Sequence, residues 1–272
     1  MIFPWEQQMS DTQSNKYFFF RNLGEISNRG ADVHYHSYFE IYRLTAGGCD
    51  SFVDDKLYNM RPGDVVIIPP GIIHGTHYTT EKHGRTLINF TSHYLPKEVG
   101  ALLKKAPCFY RCEETREETD RIFSKIEKEY YEGDSFSDEA ICALLAELVI
   151  MMVRHSQNGT EIIAQDSLIE NAVTYIQENY KNQIALSDIA ASCYVSKVHL
   201  SRKFKDKTGI GVNEYVTLYR LKKAKELLLT RDRLSICEIA FDCGFNDSNY
   251  FSWLFKKKYG VTPTQYRKNT SV

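Results

Sequence analysis

The sequence lacks the features of an exported or membrane-spanning protein. Its first twenty residues do not combine a basic start with an apolar stretch, so we expect no signal peptide. The longest apolar run, residues 141–153, contains Glu147 and is too short to cross a bilayer. We therefore expect a cytoplasmic protein.

The sequence also lacks any Cys-x-x-Cys pair. Its seven cysteines are scattered, and their odd number argues against a disulfide framework. We expect reduced thiols. A thiol or metal sensor that uses Cys49, Cys108 or Cys112 is one functional alternative, to which the scatter of these residues gives little support.

The net charge of −1 conceals a division between the two halves of the chain. From Asp166 onward there are 17 Lys and Arg against 11 Asp and Glu, whereas residues 1–165 hold 17 basic and 24 acidic residues. One basic and one acidic half indicate two domains with different partners. Chance segregation of charge over two solvated surfaces is the alternative.

Two patterns of hydrophobic residues follow one another along the chain. Between residues 17 and 95, short apolar or alternating runs are separated by Gly, Pro and Asp, which predicts a small β-sandwich or barrel. From about residue 115 apolar residues recur at helical spacing. The helix expected at 138–153 has a broad apolar face that must be buried against the barrel or a second chain. The polar segment at 155–161 is the best linker candidate, so we predict domains at 1–160 and 161–272.

The basic half contains two similar segments about fifty residues apart. DIAASCYVSKVHLSRKFKDKTG begins at Asp188, and EIAFDCGFNDSNYFSWLFKKKYG begins at Glu238. Each predicts a short helix, a tight turn and a longer helix, which is the helix-turn-helix pattern. Gly244 suits the turn because positive φ costs glycine little, whereas Tyr194 at the matching position is less comfortable. Ser235 and Glu238 predict a capping box.

The segment between the two units, VNEYVTLYRLKKAKELLLT, predicts a helix of about 18 residues. At 1.5 Å per residue this helix is roughly 27 Å long. It would hold the two units about one DNA turn apart, since major-groove faces repeat every ~34 Å. Ordinary helical hairpins are the alternative, but two units in register within a basic half favour DNA binding.

A third pattern lies in the strand-rich half. HYHSYFE places His34, His36 and Glu40 in the spacing His-x-His-x-x-x-Glu, with which small β-barrels present three ligands to one metal ion. Alternation along a strand puts the two histidines on one face, and Glu40 can reach the same interior from the next segment.

These segments resemble the AraC family of bacterial transcription regulators. ASCYVSKVHLSRKFKDKTG, YRLKKAKELL and IAFDCGFNDSNYFSWLFKKKYGVTPTQYR follow that family's signature nearly throughout, and the N-terminal half resembles its cupin-type effector-binding domain. The resemblance implies an α+β two-domain protein. A cupin-like β-barrel and a helical dimer segment would precede an all-α domain with two helix-turn-helix units joined by a long helix.

The resemblance implies that the second helix of each unit, the first from about residue 196 to 207, enters the major groove. The base-reading positions fall on Lys197, Val198, Ser201, Arg202, Ser248, Asn249, Ser252 and Trp253. Arg202 can pair bidentately with guanine, and Asn249 can read adenine. Trp253 replaces a residue that is usually basic, so we expect the second unit to read sequence more weakly or to stack on sugar and thymine. Inward packing of the indole is the alternative. Phosphate contacts are expected from Lys203, Lys205, Lys207, Lys256, Lys257 and Arg267.

The cupin resemblance adds a fourth potential ligand, His74, in a motif with Gly63, Pro69 and Gly71. Three histidines and a glutamate suit Fe, Mn, Ni or Zn with open positions. In AraC-type sensors these residues often persist without metal as polar groups of an effector pocket, and purely structural polar residues are a third possibility. We expect no required metal and a pocket formed by His34, His36, Glu40, Tyr42 and His74. Tyr78 replaces the usual asparagine, and no glycine lies six residues before His34, which weakens the enzyme pattern.

The leading hypothesis is a non-enzymatic transcription regulator that binds double-stranded DNA as a homodimer. It would respond to a small-molecule effector such as a sugar in the barrel, with the helix at 138–153 as its dimer contact. The main alternative is a metal-dependent cupin enzyme, of dioxygenase or isomerase type, with a DNA-binding tail.

Overall fold

The computed structural model describes residues 16–26, 31–103, 106, 108–156, 166–230 and 234–270. Contacts divide the chain into two compact units, Met1–Ala164 and Gln165–Val272. The expected domain boundary between residues 160 and 161, and most of the expected linker at 155–161, lie outside the described residues. In the described ranges, no helix combines the length and apolar character that crossing a lipid bilayer requires.

The first unit contains two antiparallel sheets. In spatial order, the larger sheet consists of β1 (Phe18–Ile26), β8 (His83–Phe90), β3 (Phe39–Ala46), β6 (Val65–Ile68) and β9 (Phe109–Tyr110). The smaller sheet consists of β2 (Ala31–His34), β7 (His74–Tyr78), β4 (Cys49–Val53) and β5 (Lys56–Met60). The strand-rich first half is confirmed, and it includes β2, β7 and β9, which the apolar runs did not predict.

Both faces of the central strands are buried, which explains their nearly continuous apolar runs. Tyr42 and Leu44 of β3 belong to a core shared with the smaller sheet. The residue between them in the chain, Arg43, and the preceding Ile41 point to the opposite face, because side chains alternate along a strand. Ile41 packs in a second core with the helices that follow the sheets.

The described part of this unit also contains α1 (Lys97–Leu102), between β8 and β9, and α2 (Arg116–Glu132) and α3 (Ser137–Ser156), which follow β9. Helix α3 includes the helix expected at 138–153. Its broad apolar face is buried in the core of its own unit, through Ile141, Leu145, Leu148, Val149 and Met152. The outer side of α3 carries exposed Glu147, which pairs with Arg121 of α2 at 3.2 Å, and half-buried Ile150.

The second unit is entirely helical in its described residues. Its helices are α4 (Ser167–Asn179), α5 (Leu186–Ser192), α6 (Lys197–Thr208), α7 (Val212–Thr230), α8 (Ile236–Asp242), α9 (Ser248–Tyr259) and α10 (Pro263–Thr270). Helices α5 and α6 form the first helix-turn-helix, α8 and α9 form the second, and α7 is the connecting helix. Ala190 and Ala240 are fully buried in the short helices, which permits close packing.

The sequence specifies the ends of the helices in detail. Ser235 accepts from the backbone N–H of Glu238 at 3.1 Å while the Glu238 carboxylate accepts from the Ser235 N–H at 2.7 Å, which confirms the capping box. Ser196 caps α6 through the His199 N–H at 3.2 Å. Gly209 and Gly260 end the two longer helices at φ of 85° and 77°, left-handed values that suit glycine.

Candidate functional site

The first part of the site is the His/Glu cluster in the barrel, formed by His34, His36, Glu40 and His74. His34 ends β2 and lies opposite His74, the first residue of β7. Glu40 lies on β3, and His36 lies in the preceding loop. One ligand atom from each of the four residues lies within 4.8 Å of the others. The four residues chosen from the sequence are therefore brought together at one point.

Backbone carbonyls fix the orientation of two imidazoles in the His/Glu cluster. Nδ1 of His36 lies 2.9 Å from the Tyr38 carbonyl oxygen, and Nδ1 of His74 lies 2.9 Å from that of Ile72. A carbonyl can only accept, so each Nδ1 carries a proton, and in the neutral form of either ring Nε2 presents a lone pair. Both Nε2 atoms are buried and have no hydrogen-bond partner. Metal-binding histidines typically donate their other ring N–H to a backbone carbonyl in this way.

The two lone pairs face a carboxylate. Nε2 of His36 lies 3.4 Å from Glu40 Oε2, and Nε2 of His74 lies 3.9 Å from Glu40 Oε1. Burial alone would raise the pKa of Glu40, but a hydrogen bond from His36 and the positive charge of His74, His36 and His34 in their protonated forms lower it to about 2. Burial, aided by His34, lowers the pKa of His74 to about 3. An anionic carboxylate beside a neutral imidazole fits a divalent cation, and His34, His36, Glu40 and His74 would hold it.

A cavity of about 140 Å³ adjoins the cluster. Of the five residues expected to form the pocket, His34, Glu40, Tyr42 and His74 line it and His36 does not. The Tyr42 hydroxyl donates to the Tyr78 hydroxyl at 3.1 Å. Tyr78 also accepts from Arg85 at 2.6 Å, so the residue that departs from the cupin pattern holds an arginine at the cavity wall. Arg21, Arg85 and Asn89 also line the cavity and were not predicted, although Arg85, Leu87 and Asn89 alternate along β8 and so share one face of the strand.

The second part of the site is the outer face of the two longer helices in the helix-turn-helix units. On α6, the four expected base-reading residues are all exposed, Lys197, Val198, Ser201 and Arg202. On α9, Asn249 and Trp253 are exposed and Ser248 and Ser252 are half-buried. The opposite faces are buried through Leu200 and Phe204 on α6, and through Phe251 and Phe255 on α9. The faces that were chosen from the sequence are thus open to a partner.

Trp253 lies on the surface with 55% of its area exposed, so it does not pack inward. Its ring stacks on Tyr250 at a centroid distance of 6.0 Å and an angle of 21°. Lys257 places its Nζ 5.0 Å from the Trp253 ring centroid. This arrangement combines an aromatic surface with a positive charge on the outer side of α9.

The expected phosphate-contacting residues divide into two groups. Lys205, Lys256 and Lys257 are exposed, and Lys207 is half-buried. Lys203 pairs with Asp166 at 3.0 Å, and Arg267 donates to the Leu234 carbonyl at 2.7 Å. The last two residues therefore also hold the second unit together.

The cysteines of the sensor alternative have few properties of reactive thiols. Burial raises the pKa of Cys49 to about 12 and that of Cys112 to about 11, and Cys108 is half-buried. A thiol with such a pKa carries almost no thiolate near neutral pH, and the thiolate is the reactive form.

The chain is similar to named bacterial activators. It is 30% identical over 149 residues to the HTH-type transcriptional activator RhaR of Escherichia coli O139:H28, which is 54% of this chain and 52% of that protein. The protein of the same name from Shigella boydii serotype 4 matches to the same extent. The chain spans about half the length of the curated relatives it matches.

Solved structures match as well. The C-terminal domain of the two-component response regulator yesN from Fusobacterium nucleatum is 41% identical, with 38% of this chain and 99% of that chain covered and a TM-score of 0.36. ToxT from Vibrio cholerae O395 is 14% identical, with 93% and 99% covered and a TM-score of 0.41.

Two family models match the chain. The model described as an AraC-like ligand binding domain matches residues 25–159, and the model described as a helix-turn-helix domain matches residues 189–269. Together they cover more than three quarters of the chain, which therefore belongs to the AraC family and joins an AraC-like ligand-binding domain to a helix-turn-helix domain.

Proposed function

We propose that this protein is a cytoplasmic, sequence-specific DNA-binding transcription regulator controlled by a small effector in the barrel cavity. The observation that carries the proposal is the pair of capped helix-turn-helix units, whose longer helices expose their outer faces in the basic half of the chain. The relatives it matches are named transcriptional activators, which favours a regulator over an enzyme.

Each of the two longer helices carries residues for reading bases and residues for contacting phosphates. Arg202 and Asn249 have the donor and acceptor geometry to read guanine and adenine edges in the major groove. Exposed lysines, such as Lys205 and Lys256, contact phosphates and fix the register without reading sequence. The 19-residue α7 between the units spans about 28 Å, close to one DNA turn.

The barrel supplies the control. An effector, for example a sugar, would bind in the cavity beside Tyr42 and the His/Glu cluster. Such an effector changes DNA binding only if it binds two states of the protein with different affinity. We assign these two states to two arrangements of a homodimer. Its contact would be the outer side of α3, where the apolar side chains of Leu144 and Ile150 are half-buried.

Binding to genomic DNA fragments, followed by fluorescence anisotropy at several salt concentrations, tests this function. We expect a preferred fragment and an affinity that falls steeply with salt, since each phosphate contact releases counterions. Binding that is indifferent to both sequence and salt would rule out the regulator. Light scattering of the full chain at micromolar concentration should give the mass of a dimer.

A metal-dependent cupin enzyme is the second candidate, and the convergence of four ligand atoms within 4.8 Å favours it. A bound metal would supply a Lewis acid at open coordination positions. The chain's own part would be to hold the ion through neutral imidazoles and to keep Glu40 ionised beside it. Less than a tenth of an equivalent of any transition metal, both as purified and after incubation with metal, would eliminate this candidate.

A further inference from the structure

The cavity beside the His/Glu cluster has two chemically opposite ends. On the inner face of the larger sheet, Asn89 of β8 lies opposite Glu40 of β3, and Arg85 lies opposite Leu44. Arg85 is thus four residues from Asn89 along the same strand, roughly 13 Å between Cα atoms. Arg21 of β1 lines the same cavity, opposite Leu87.

The arginine end carries positive charge that no acidic side chain of the described ranges neutralises. Arg85 donates from Nη1 to the Tyr78 hydroxyl at 2.6 Å, but its Nε is buried without a hydrogen-bond partner. Within the described residues, no carboxylate lies within 4.0 Å of a guanidinium nitrogen of Arg85 or Arg21. A buried guanidinium donor that lacks a partner costs free energy unless a ligand supplies an acceptor.

The opposite end is rich in acceptors. Nε2 of His74 is buried at the cavity wall without a hydrogen-bond partner, 3.9 Å from Oε1 of the Glu40 carboxylate, which also lines the cavity. With its amide nitrogen turned towards the carboxylate, Asn89 donates to Glu40 Oε2 at 3.3 Å. Hydroxyl groups of a ligand suit this end in either state, as donors to the free cluster or as oxygen ligands of a bound metal ion.

The cavity is compact and partly aromatic. Its volume of about 140 Å³ is close to the roughly 150 Å³ of a cavity that holds one benzene molecule. Tyr17, Phe19 and Tyr38 line it, and such rings pack on the C–H face of a small ring or chain. A long acyl chain does not match this volume.

We infer that the effector is a small polyhydroxy carboxylic acid, of the sugar-acid class, whose carboxylate binds Arg85 and whose hydroxyls bind at the His/Glu cluster. This inference rests on the proposed role of the cavity as the effector site. It specifies the effector further, as an acid. The corresponding neutral sugar should bind more weakly, because it offers no carboxylate to Arg85.

Matched ligand pairs test the inference. Calorimetric titration of the full-length protein compares D-glucuronate with D-glucose and D-gluconate with D-glucitol, once in EDTA and once with one equivalent of Mn²⁺. We expect at least one acid to bind more tightly than its neutral partner, by roughly tenfold to a hundredfold, the value of a hydrogen bond to a charged group. If no acid binds, or if the neutral partners bind equally well, the inference is wrong.

Variants locate the carboxylate. R85Q should remove the preference for the acid, R85K should retain part of it, and R61Q, at an exposed arginine that does not line the cavity, should leave it unchanged. Far-ultraviolet circular dichroism confirms that each variant is folded. Unchanged acid binding by folded R85Q contradicts the inference.

The DNA-binding assay separates this inference from the proposed function. Salt-dependent, sequence-specific DNA binding without a response to any of these acids would leave the regulator intact and refute the sugar acid. Tight binding of an acid, combined with DNA binding that is indifferent to sequence, would support the sugar acid and refute the regulator.

Discussion

Tyr194 and Gly244 occupy equivalent turns of the two helix-turn-helix units, and both have left-handed backbone, with φ of 57° and 82°. A side chain is strained in this region because its Cβ crowds the following carbonyl, by about 1–2 kcal/mol. Packing of the Tyr194 ring does not offset this strain, since 96% of the residue's area is exposed. The first turn therefore keeps a strain that the second avoids.

The substitution Tyr194→Gly should stabilise the second unit. The strain is removed, and part of the gain is offset by the greater freedom of glycine in the unfolded chain, which leaves about 0.5–1 kcal/mol. Gly244→Ala should destabilise it, because the new Cβ would clash with the Tyr180 carbonyl oxygen. Urea unfolding followed by circular dichroism measures both, and a Tyr194→Gly variant less stable than the parent would contradict the expectation.

Arg202 and Lys205 lie on the same helix but should differ in what their loss changes. Arg202→Ala should lower discrimination between the preferred site and a mutated site by about 1–3 kcal/mol, because a base contact is lost. Lys205→Ala should weaken binding to both sites alike and reduce the slope of log affinity against log salt by about one. Anisotropy titrations with the two sites at four salt concentrations distinguish these outcomes. Equal behaviour of the two variants would mean that Arg202 contacts phosphate.

Trp253 should contribute to DNA affinity through its exposed ring. Trp253→Ala removes the aromatic surface on which Lys257 rests, and we expect about a tenfold loss of affinity for the preferred site, or ~1.4 kcal/mol. Trp253→Arg should recover affinity and raise its salt dependence, because it adds a charge at the groove. Phe136→Ala, an exposed aromatic of the first unit, is the matched control. An effect of Phe136→Ala as large as that of Trp253→Ala would assign the loss to general destabilisation.

The parts of the fold that depend on local pattern could be predicted from the sequence. The two helix-turn-helix units follow from caps, turn residues and helical spacing, all of which act within a few residues, so Ser196 and Ser235 mark helix starts correctly. Strand β7, with the polar sequence HGTHY, lacks an apolar run and becomes a strand by pairing with β2 and β4.

The cavity wall depends on pairing between distant strands, which a single sequence does not reveal. Arg21 and Arg85 line one cavity because β1 pairs with β8 in a particular register. A shift of β1 by one residue would turn Arg21 to the other face, away from Arg85. His34 and His74 were found in advance because a family motif encodes their spacing, whereas no motif marks the arginines.

Buried thiols should react more slowly than exposed ones, whereas a sensor that uses Cys49 or Cys112 would require these two thiols to react readily. Burial raises the pKa of Cys49, Cys112 and Cys243 to about 12, about 11 and about 12, so these groups stay protonated below about pH 10. At pH 8, Ellman's reagent should modify exposed Cys237 first, and buried Cys49, Cys112 and Cys243 should react only after unfolding in urea. Mass spectrometry of the labelled protein identifies the sites. Rapid labelling of Cys49 or Cys112 at pH 8 would restore the sensor alternative.

The His/Glu cluster should bind one equivalent of a divalent transition metal when it is supplied. The buried lone pairs of His36 and His74 face the ionised Glu40, and a cation satisfies all three at once. His74→Ala should reduce the affinity for Zn²⁺ by more than the roughly 10–100-fold that the loss of an outer partner costs. His77→Ala, on the same strand but outside the cluster, should not change it.

Removal of the metal by EDTA should lower the unfolding temperature of the parent protein, by an amount equivalent to about 2.7 kcal/mol when free metal exceeds the Kd a hundredfold. Equal zinc binding by the parent and His74→Ala, in competition with a chelator of known affinity, would show that the four residues line the effector cavity without acting as a metal site.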